Sequence, residues 1–72
     1  MKIYDIKDIP DSSPRLFEII QYASQGYPYK QIAEFMGVKL RTIKNRTNIA
    51  YRNYNATGMI HLVSLCYKAG IL

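Results

Sequence analysis

Basic and amide side chains recur at helical spacing between residues 41 and 52, a stretch without any acidic residue. A helix turns by about 100° per residue, so these side chains would cluster within an arc of roughly 100° on one side. That side would carry Arg41, Lys44, Asn45, Asn48 and Arg52. In the DNA major groove, asparagine can pair bidentately with adenine, and lysine or arginine can bind the acceptors of guanine. A merely solvated face usually mixes both signs of charge. We therefore predict that Arg41, Lys44, Asn45 and Asn48 read bases, although Arg41 could contact a phosphate instead and the asparagines could be solvated polar residues.

A second set of basic and hydroxyl side chains could bind the DNA backbone. Lys30 lies at the predicted start of a helix, where backbone N–H groups and the helix dipole favour phosphate. Tyr29 beside it could donate its hydroxyl to the same backbone. Arg52 could instead be a solvated charge, too far along its helix to reach DNA. The predicted phosphate-binding residues are Tyr29, Lys30, Lys39, Thr42, Arg46 and Arg52.

A helix-turn-helix over residues 28–54 would position both sets. Small Ala33 allows the next helix to approach closely, and Gly37 supplies a turn in which a positive φ costs little without a Cβ. Ile43 anchors the following helix in the core. The pattern predicts helices over about 28–36 and 40–54, and the apolar side of the second would hold Leu40, Ile43, Thr47, Ala50, Tyr51 and Tyr54.

Two further helices complete the predicted domain. Ser13 as N-cap and Pro14 at the first helical position indicate a helix over about 14–25. The last helix, about 58–69 with Thr57 as N-cap, is apolar around more of its circumference than one small core can cover. Large exposed apolar patches usually mark interfaces, and the predicted homodimer contacts are Met59, Leu62, Val63 and Cys66. Val63 could instead belong to the intramolecular core.

Residues 1–12 form a lead-in to the predicted domain of residues 13–72. Ile3, Ile6 and Ile9 recur at every third position, and Pro10 is expected to end any regular element. We predict an extended strap whose isoleucines lie on the core. The alternatives are a dimer contact or an arm that reaches DNA. The segment has at least as much acid as base, which disfavours an arm seeking phosphate.

Charge is unevenly divided along this short chain. Its 72 residues, 49% of them apolar, suffice for one domain with a modest core. All five acidic residues lie within residues 1–34, whereas residues 35–72 carry six basic residues and no acidic one. A half-molecule with one sign of charge favours a polyanionic partner. The alternative is a basic, solvated surface that only aids solubility.

Catalytic and metal chemistry find no support in the residue types. The single cysteine, Cys66, and the single histidine, His61, stand five positions apart and would not face each other on a helix. No zinc-ligand set or phosphate-binding glycine loop is present. One cysteine allows no internal disulfide, which fits a reducing cytosol. No segment resembles a signal peptide or the ~18 apolar residues of a membrane span. We expect a non-enzymatic cytoplasmic protein without cofactor or metal.

From Ser13 to Leu72 the chain resembles the LuxR-type (GerE-like) DNA-binding domain. The matching motifs are Ser13–Arg15, Glu18–Ile20, Ser24–Gly26, Lys30–Ala33, Thr42–Lys44 and Gly70–Leu72. The sequence departs from the family at three places. Leu16 stands where the family has an acidic residue after the arginine, and Arg46 stands where the family has a histidine in the recognition helix. The Asn-Ile pair of the family comes one residue early, at Asn48 and Ile49. The spacing and size of core residues hold, so the expected fold survives, but the family's operator preference does not carry over.

The resemblance implies an all-α domain of four helices with a central helix-turn-helix, a homodimer through the last helix, and control of transcription. Only twelve residues precede the domain, which is typical of the stand-alone subclass without a built-in phosphorylation or ligand switch. The expected partners are double-stranded DNA and a second copy, in a bacterial or phage-encoded setting, with no small-molecule ligand evident. A different class remains open: a protein-interaction module resembling region 4 of sigma factors, which docks on RNA polymerase or another regulator. RNA binding is disfavoured, since no aromatic-rich sheet is predicted.

Overall fold

The computed structural model describes residues 4–72, and this part of the chain is all-helical, without a β-strand. A 3-10 turn over Ile6–Asp8 precedes five α-helices: α1 (Ile9–Ser12), α2 (Pro14–Ser24), α3 (Tyr29–Met36), α4 (Leu40–Asn53) and α5 (Met59–Lys68). The four predicted helices correspond to α2 to α5, and each end lies within one residue of its prediction. The short helix α1 is an addition that the sequence did not predict.

The N-terminal segment is helical, so the prediction of an extended strap over residues 1–12 is wrong for the described residues. Pro10 does not end an element but lies in the first turn of α1, where its missing N–H has no helical partner to lose. The Asp5 side chain starts the preceding turn by accepting a hydrogen bond of 3.0 Å from the backbone N–H two residues on. Ile9 is fully buried, as predicted, and Ile3 lies outside the described residues.

Two neighbouring groups of buried side chains make up the core. The first joins α1, α2, α4 and α5 and consists of Ile9, Leu16, Ile20, Ala50, Leu62 and Cys66. The second joins α2, α3 and α4 and consists of Ile19, Ile32, Ala33 and Ile43. Full burial of one large aliphatic side chain contributes about 1.5–3 kcal/mol. Because α4 contributes to both groups, its orientation is fixed at two points along its length.

A three-residue connection, from Gly37 to Lys39, joins α3 to α4. Gly37 adopts the left-handed conformation with φ 68° and ψ 32°, which strains residues that carry a Cβ. Its N–H donates to the Glu34 carbonyl at 3.2 Å, and the Val38 N–H donates to the Ala33 carbonyl at 3.0 Å. This is the hydrogen-bond pattern of a Schellman C-cap, and the predicted glycine turn is confirmed.

The start of α5 differs from its prediction. The N-cap residue is Gly58 rather than Thr57, and the cap makes no side-chain hydrogen bond. The His61 ring instead reaches back, and its Nδ1 accepts a hydrogen bond of 3.1 Å from the Thr57 backbone N–H. A side chain in the first turn thus satisfies a backbone donor ahead of the helix, much as glutamate does in a capping box.

Candidate nucleic-acid interface

The outer side of α4 carries every side chain that the sequence predicts to read bases. Arg41, Lys44, Asn45 and Asn48 are all exposed. The opposite side is buried: Ile43 is 0% exposed, and Thr47 and Ala50 are each 1% exposed. The predicted apolar side of α4 is therefore confirmed at Ile43, Thr47 and Ala50, but Leu40, which was predicted to belong to it, is 37% exposed. The contact of the polar side with DNA stays a prediction.

The buried side of α4 holds the outer side in place. Ile43 packs with Ile32 and Ala33 of α3, and Ala50 packs with residues of α1, α2 and α5. The buried Thr47 hydroxyl donates to the Lys44 carbonyl at 3.0 Å, so this polar group is satisfied inside the helix. When packing fixes the orientation of a helix, its exposed side chains keep a fixed arrangement, which favours specific recognition of a ligand.

Tyr29 ties α3 to α4 through its hydroxyl. The Tyr29 and Tyr51 hydroxyl oxygens lie 2.7 Å apart, in a partly buried position. Burial, together with the Tyr51 hydroxyl, raises the pKa of the Tyr29 phenol above its ordinary value. The sequence predicted an outward phosphate donor here. In the structure the hydroxyl makes an internal contact, and its contact with the DNA backbone stays a prediction.

The remaining predicted phosphate-binding residues are not equivalent. Lys30 is exposed in the first turn of α3, a helix whose N-cap, Pro28, makes no side-chain hydrogen bond. The first backbone N–H groups of α3 lack helical partners and can bind an anion. Lys39 is exposed as the N-cap residue of α4, whereas Thr42 is only half-exposed. The exposed Arg46 lies on the flank of α4 that faces the α1–α2 junction.

Arg52 is exposed near the end of α4, in its last turn. The base-reading candidates begin with Arg41, so three helical turns separate the two ends of this basic face. At a rise of about 1.5 Å per residue, this separation is roughly 16 Å along the helix axis. A basic residue in the last turn also interacts favourably with the helix dipole. That interaction provides a structural role for Arg52 that requires no DNA.

The predicted dimer residues of α5 are divided between the core and the surface. Leu62 and Cys66 are both 0% exposed within the chain's own core, so they have no surface to offer a second copy, and this part of the prediction is corrected. Met59 and Val63 are half-buried and pack against that core. The apolar surface of α5 lies elsewhere, at Ile60, which is 89% exposed, and Tyr67, which is 59% exposed.

Ile60 and Tyr67 were missed because α5 is apolar on almost every side. An apolar stripe reveals which side of a helix is buried only when the other side is polar, and the polar stripe of α5, formed by His61, Ser64 and Lys68, is narrow. On a helix of about 100° per residue, that polar stripe lies opposite Leu62 and Cys66 and beside Ile60 and Tyr67. The stripe therefore was a signal for which side of α5 is buried.

Comparison of the chain with protein-family models, curated proteins and solved structures gives no match. Within residues 4–72, no group of three or more histidine, cysteine, aspartate or glutamate side chains could hold a metal ion. In the same part of the chain, every helix is too short or too polar to cross a membrane.

Proposed function

We propose that this protein is a sequence-specific DNA-binding regulator of transcription, in which α3 and α4 form a helix-turn-helix and α4 enters the major groove. The observation that carries the proposal is the exposed, acid-free side of α4 with Arg41, Lys44, Asn45 and Asn48. The charge distribution supports it, since residues 35–72 contain six basic residues and no acidic one. The resemblance of residues 13–72 to LuxR-type domains points in the same direction.

The dimensions and connection of α4 suit this mode of binding. Its 14 residues extend over roughly 21 Å, and the major groove, about 12 Å wide, admits an α-helix. The tight Gly37 turn brings α3 against α4 through Ala33 and Ile43. In helix-turn-helix proteins the first helix crosses the backbone while the second reads bases. Exposed Lys30 at the start of α3 is suited to that backbone contact.

A second copy of the chain is the proposed partner of α5. Ile60 and Tyr67 project apolar surface that the protomer's own core does not cover. A two-fold axis through this surface would make a self-complementary contact. It would also place two α4 helices in successive major grooves, so the DNA site should be an inverted repeat with half-sites about one helical turn apart. Such a regulator would act in the cytoplasm of a bacterium.

Selection from random duplex DNA, followed by sequencing, tests the proposed function. On the selected site, Lys44→Ala and Asn48→Ala should each weaken binding by about 1–3 kcal/mol and relax the preference at one base position. Lys7→Ala, which removes an exposed positive charge outside α4, is the matched control and should keep the selected motif. Full affinity and an unchanged motif in both α4 variants would refute the proposed docking.

A protein-docking module similar to sigma region 4 is the second candidate function. The observation that favours it is the exposure of Ile60 and Tyr67, which a partner such as RNA polymerase could cover instead of a second copy. In that case, no duplex would be enriched by selection. Binding of purified RNA polymerase would then be lost on Ile60→Ser but not on Lys44→Ala.

A further inference from the structure

A groove of about 300 Å³ runs between α4 and the junction of α1 and α2. Its walls come from both sides: Ser13 precedes α2 and Leu16 lies in the first turn of α2, while Arg46, Ile49 and Asn53 lie along α4. The volume is at the lower end of the range for small-molecule sites. It corresponds to about ten water molecules, so the groove has room for a small organic compound rather than for a peptide.

The polar groups of the groove favour an anion. Arg46 lines the groove, and an arginine guanidinium can bind a carboxylate through two parallel N–H donors. Ser13 makes no capping hydrogen bond to α2, so its hydroxyl can donate to a ligand. The Tyr54 phenol, whose pKa is raised chiefly by burial and lowered in part by the Ser12 hydroxyl, also lines the groove and can donate a hydrogen bond. Among residues 4–72, no acidic side chain lines the groove, and the nearest effect of one is that of Asp8 on the pKa of Tyr54.

The apolar part of the lining distinguishes among anions. Leu16 and Ala50 form a floor that is almost completely buried, and Ile49, half exposed, forms one wall. Inorganic phosphate would leave this surface uncovered. A carboxylate attached to a compact apolar body would cover it and bind Arg46 at the same time. An apolar cavity with a few convergent polar groups is the usual form of a small-molecule site.

We infer that this groove binds a small organic carboxylate, whose charged group is held by Arg46 and Ser13 and whose apolar body lies on Leu16 and Ile49. The site does not depend on DNA binding. Its regulatory consequence does rest on the proposed function: an occupied groove would neutralise Arg46 on the flank of the helix proposed to enter the major groove.

NMR titration of the ¹⁵N-labelled full chain with benzoate tests the site directly. The amide signals of Ser13, Ile49 and Asn53 should shift saturably, with a dissociation constant of about 1 mM, the order expected of so small a ligand. Benzamide, which has the same shape without the charge, should bind roughly ten-fold more weakly, since a hydrogen bond to a charged group is worth about that much. Inorganic phosphate, which lacks the apolar body, should also bind more weakly than benzoate.

Two arginine variants of the same helix locate the charge. Arg46→Gln should weaken benzoate binding by about ten-fold. Arg52 is also exposed but does not line the groove, so Arg52→Gln should bind benzoate as the wild type does. Both residues are exposed, so the dispersion of the amide spectrum should be unchanged. The inference would be overturned if benzamide or phosphate bound as tightly as benzoate, or if the amide shifts did not saturate. It would also be overturned if the two variants weakened benzoate binding equally.

Discussion

Replacement of Ile60 by serine separates association from folding. Ile60 is 89% exposed in the protomer, so the substitution removes almost no intramolecular contact. A surface change of this kind usually alters the free energy of unfolding by no more than about 0.5 kcal/mol. We therefore expect Ile60→Ser to fold normally and to lose the proposed dimer.

The expected loss of association follows from burial in two copies. Burying one isoleucine side chain contributes about 1.5–3 kcal/mol, and a two-fold contact buries Ile60 of both protomers. Together they contribute about 3–6 kcal/mol, which corresponds to a dimer dissociation constant more than about 100-fold weaker. Leu62→Ala is the matched comparison on the same helix. Leu62 is 0% exposed, so its truncation should instead cost about 2–5 kcal/mol of folding.

Sedimentation equilibrium and urea unfolding followed by circular dichroism provide the two measurements. Dimer formation itself raises apparent stability, so unfolding is measured at a concentration where the wild type is monomeric. Ile60→Ser should sediment as a monomer with a wild-type midpoint, and Leu62→Ala should have a lower midpoint. A wild type that remains monomeric at hundreds of micromolar, with and without its selected DNA, would refute the homodimer and favour a different partner for α5.

Single substitutions at Lys39, Tyr29 and His61 should have distinct effects. Lys39→Ala should weaken binding to all duplexes alike and reduce the salt-dependence slope by about one unit, as measured by fluorescence anisotropy; an unchanged slope would remove Lys39 from the interface. Tyr29→Phe breaks the hydroxyl pair with Tyr51 and should lower the free energy of unfolding by about 1 kcal/mol near neutral pH. Because the pKa of Tyr29 is raised in the folded state, the wild type should lose stability as pH rises above about 10, the ordinary phenol value. The Tyr29→Phe variant should lose less stability over the same range. Urea unfolding between about pH 8 and pH 11 measures this difference, and equal losses of stability in the two proteins would contradict it. His61→Leu deprives the Thr57 N–H of its acceptor and should cost about 0.5–1.5 kcal/mol in thermal unfolding, whereas His61→Gln, which keeps an acceptor, should cost less.

Helix positions along residues 13–72 followed from local signals. Pro14 after Ser13 marked the start of α2, and Gly37 marked the end of α3, because each residue type fits only a few backbone conformations. The apolar and polar sides of α4 were also predicted correctly, since that helix has a clear contrast between them. Local chemistry failed at Pro10, where the same residue type that ends one helix can begin another.

The amino-acid sequence alone determined four helices, the glycine turn, and the polar side of α4 that carries the base-reading candidates. Each depends on residues close together in the chain, whose steric and polar preferences act before any long-range contact forms. Tertiary packing decided the rest. It decided how far the burial of the largely apolar α5 extends, turning Leu62 inward and leaving Ile60 exposed. It also paired Tyr29 with Tyr51 across 22 positions of the chain. Finally, it brought Ser13 and Arg46 to one groove, because such meetings depend on how whole helices pack.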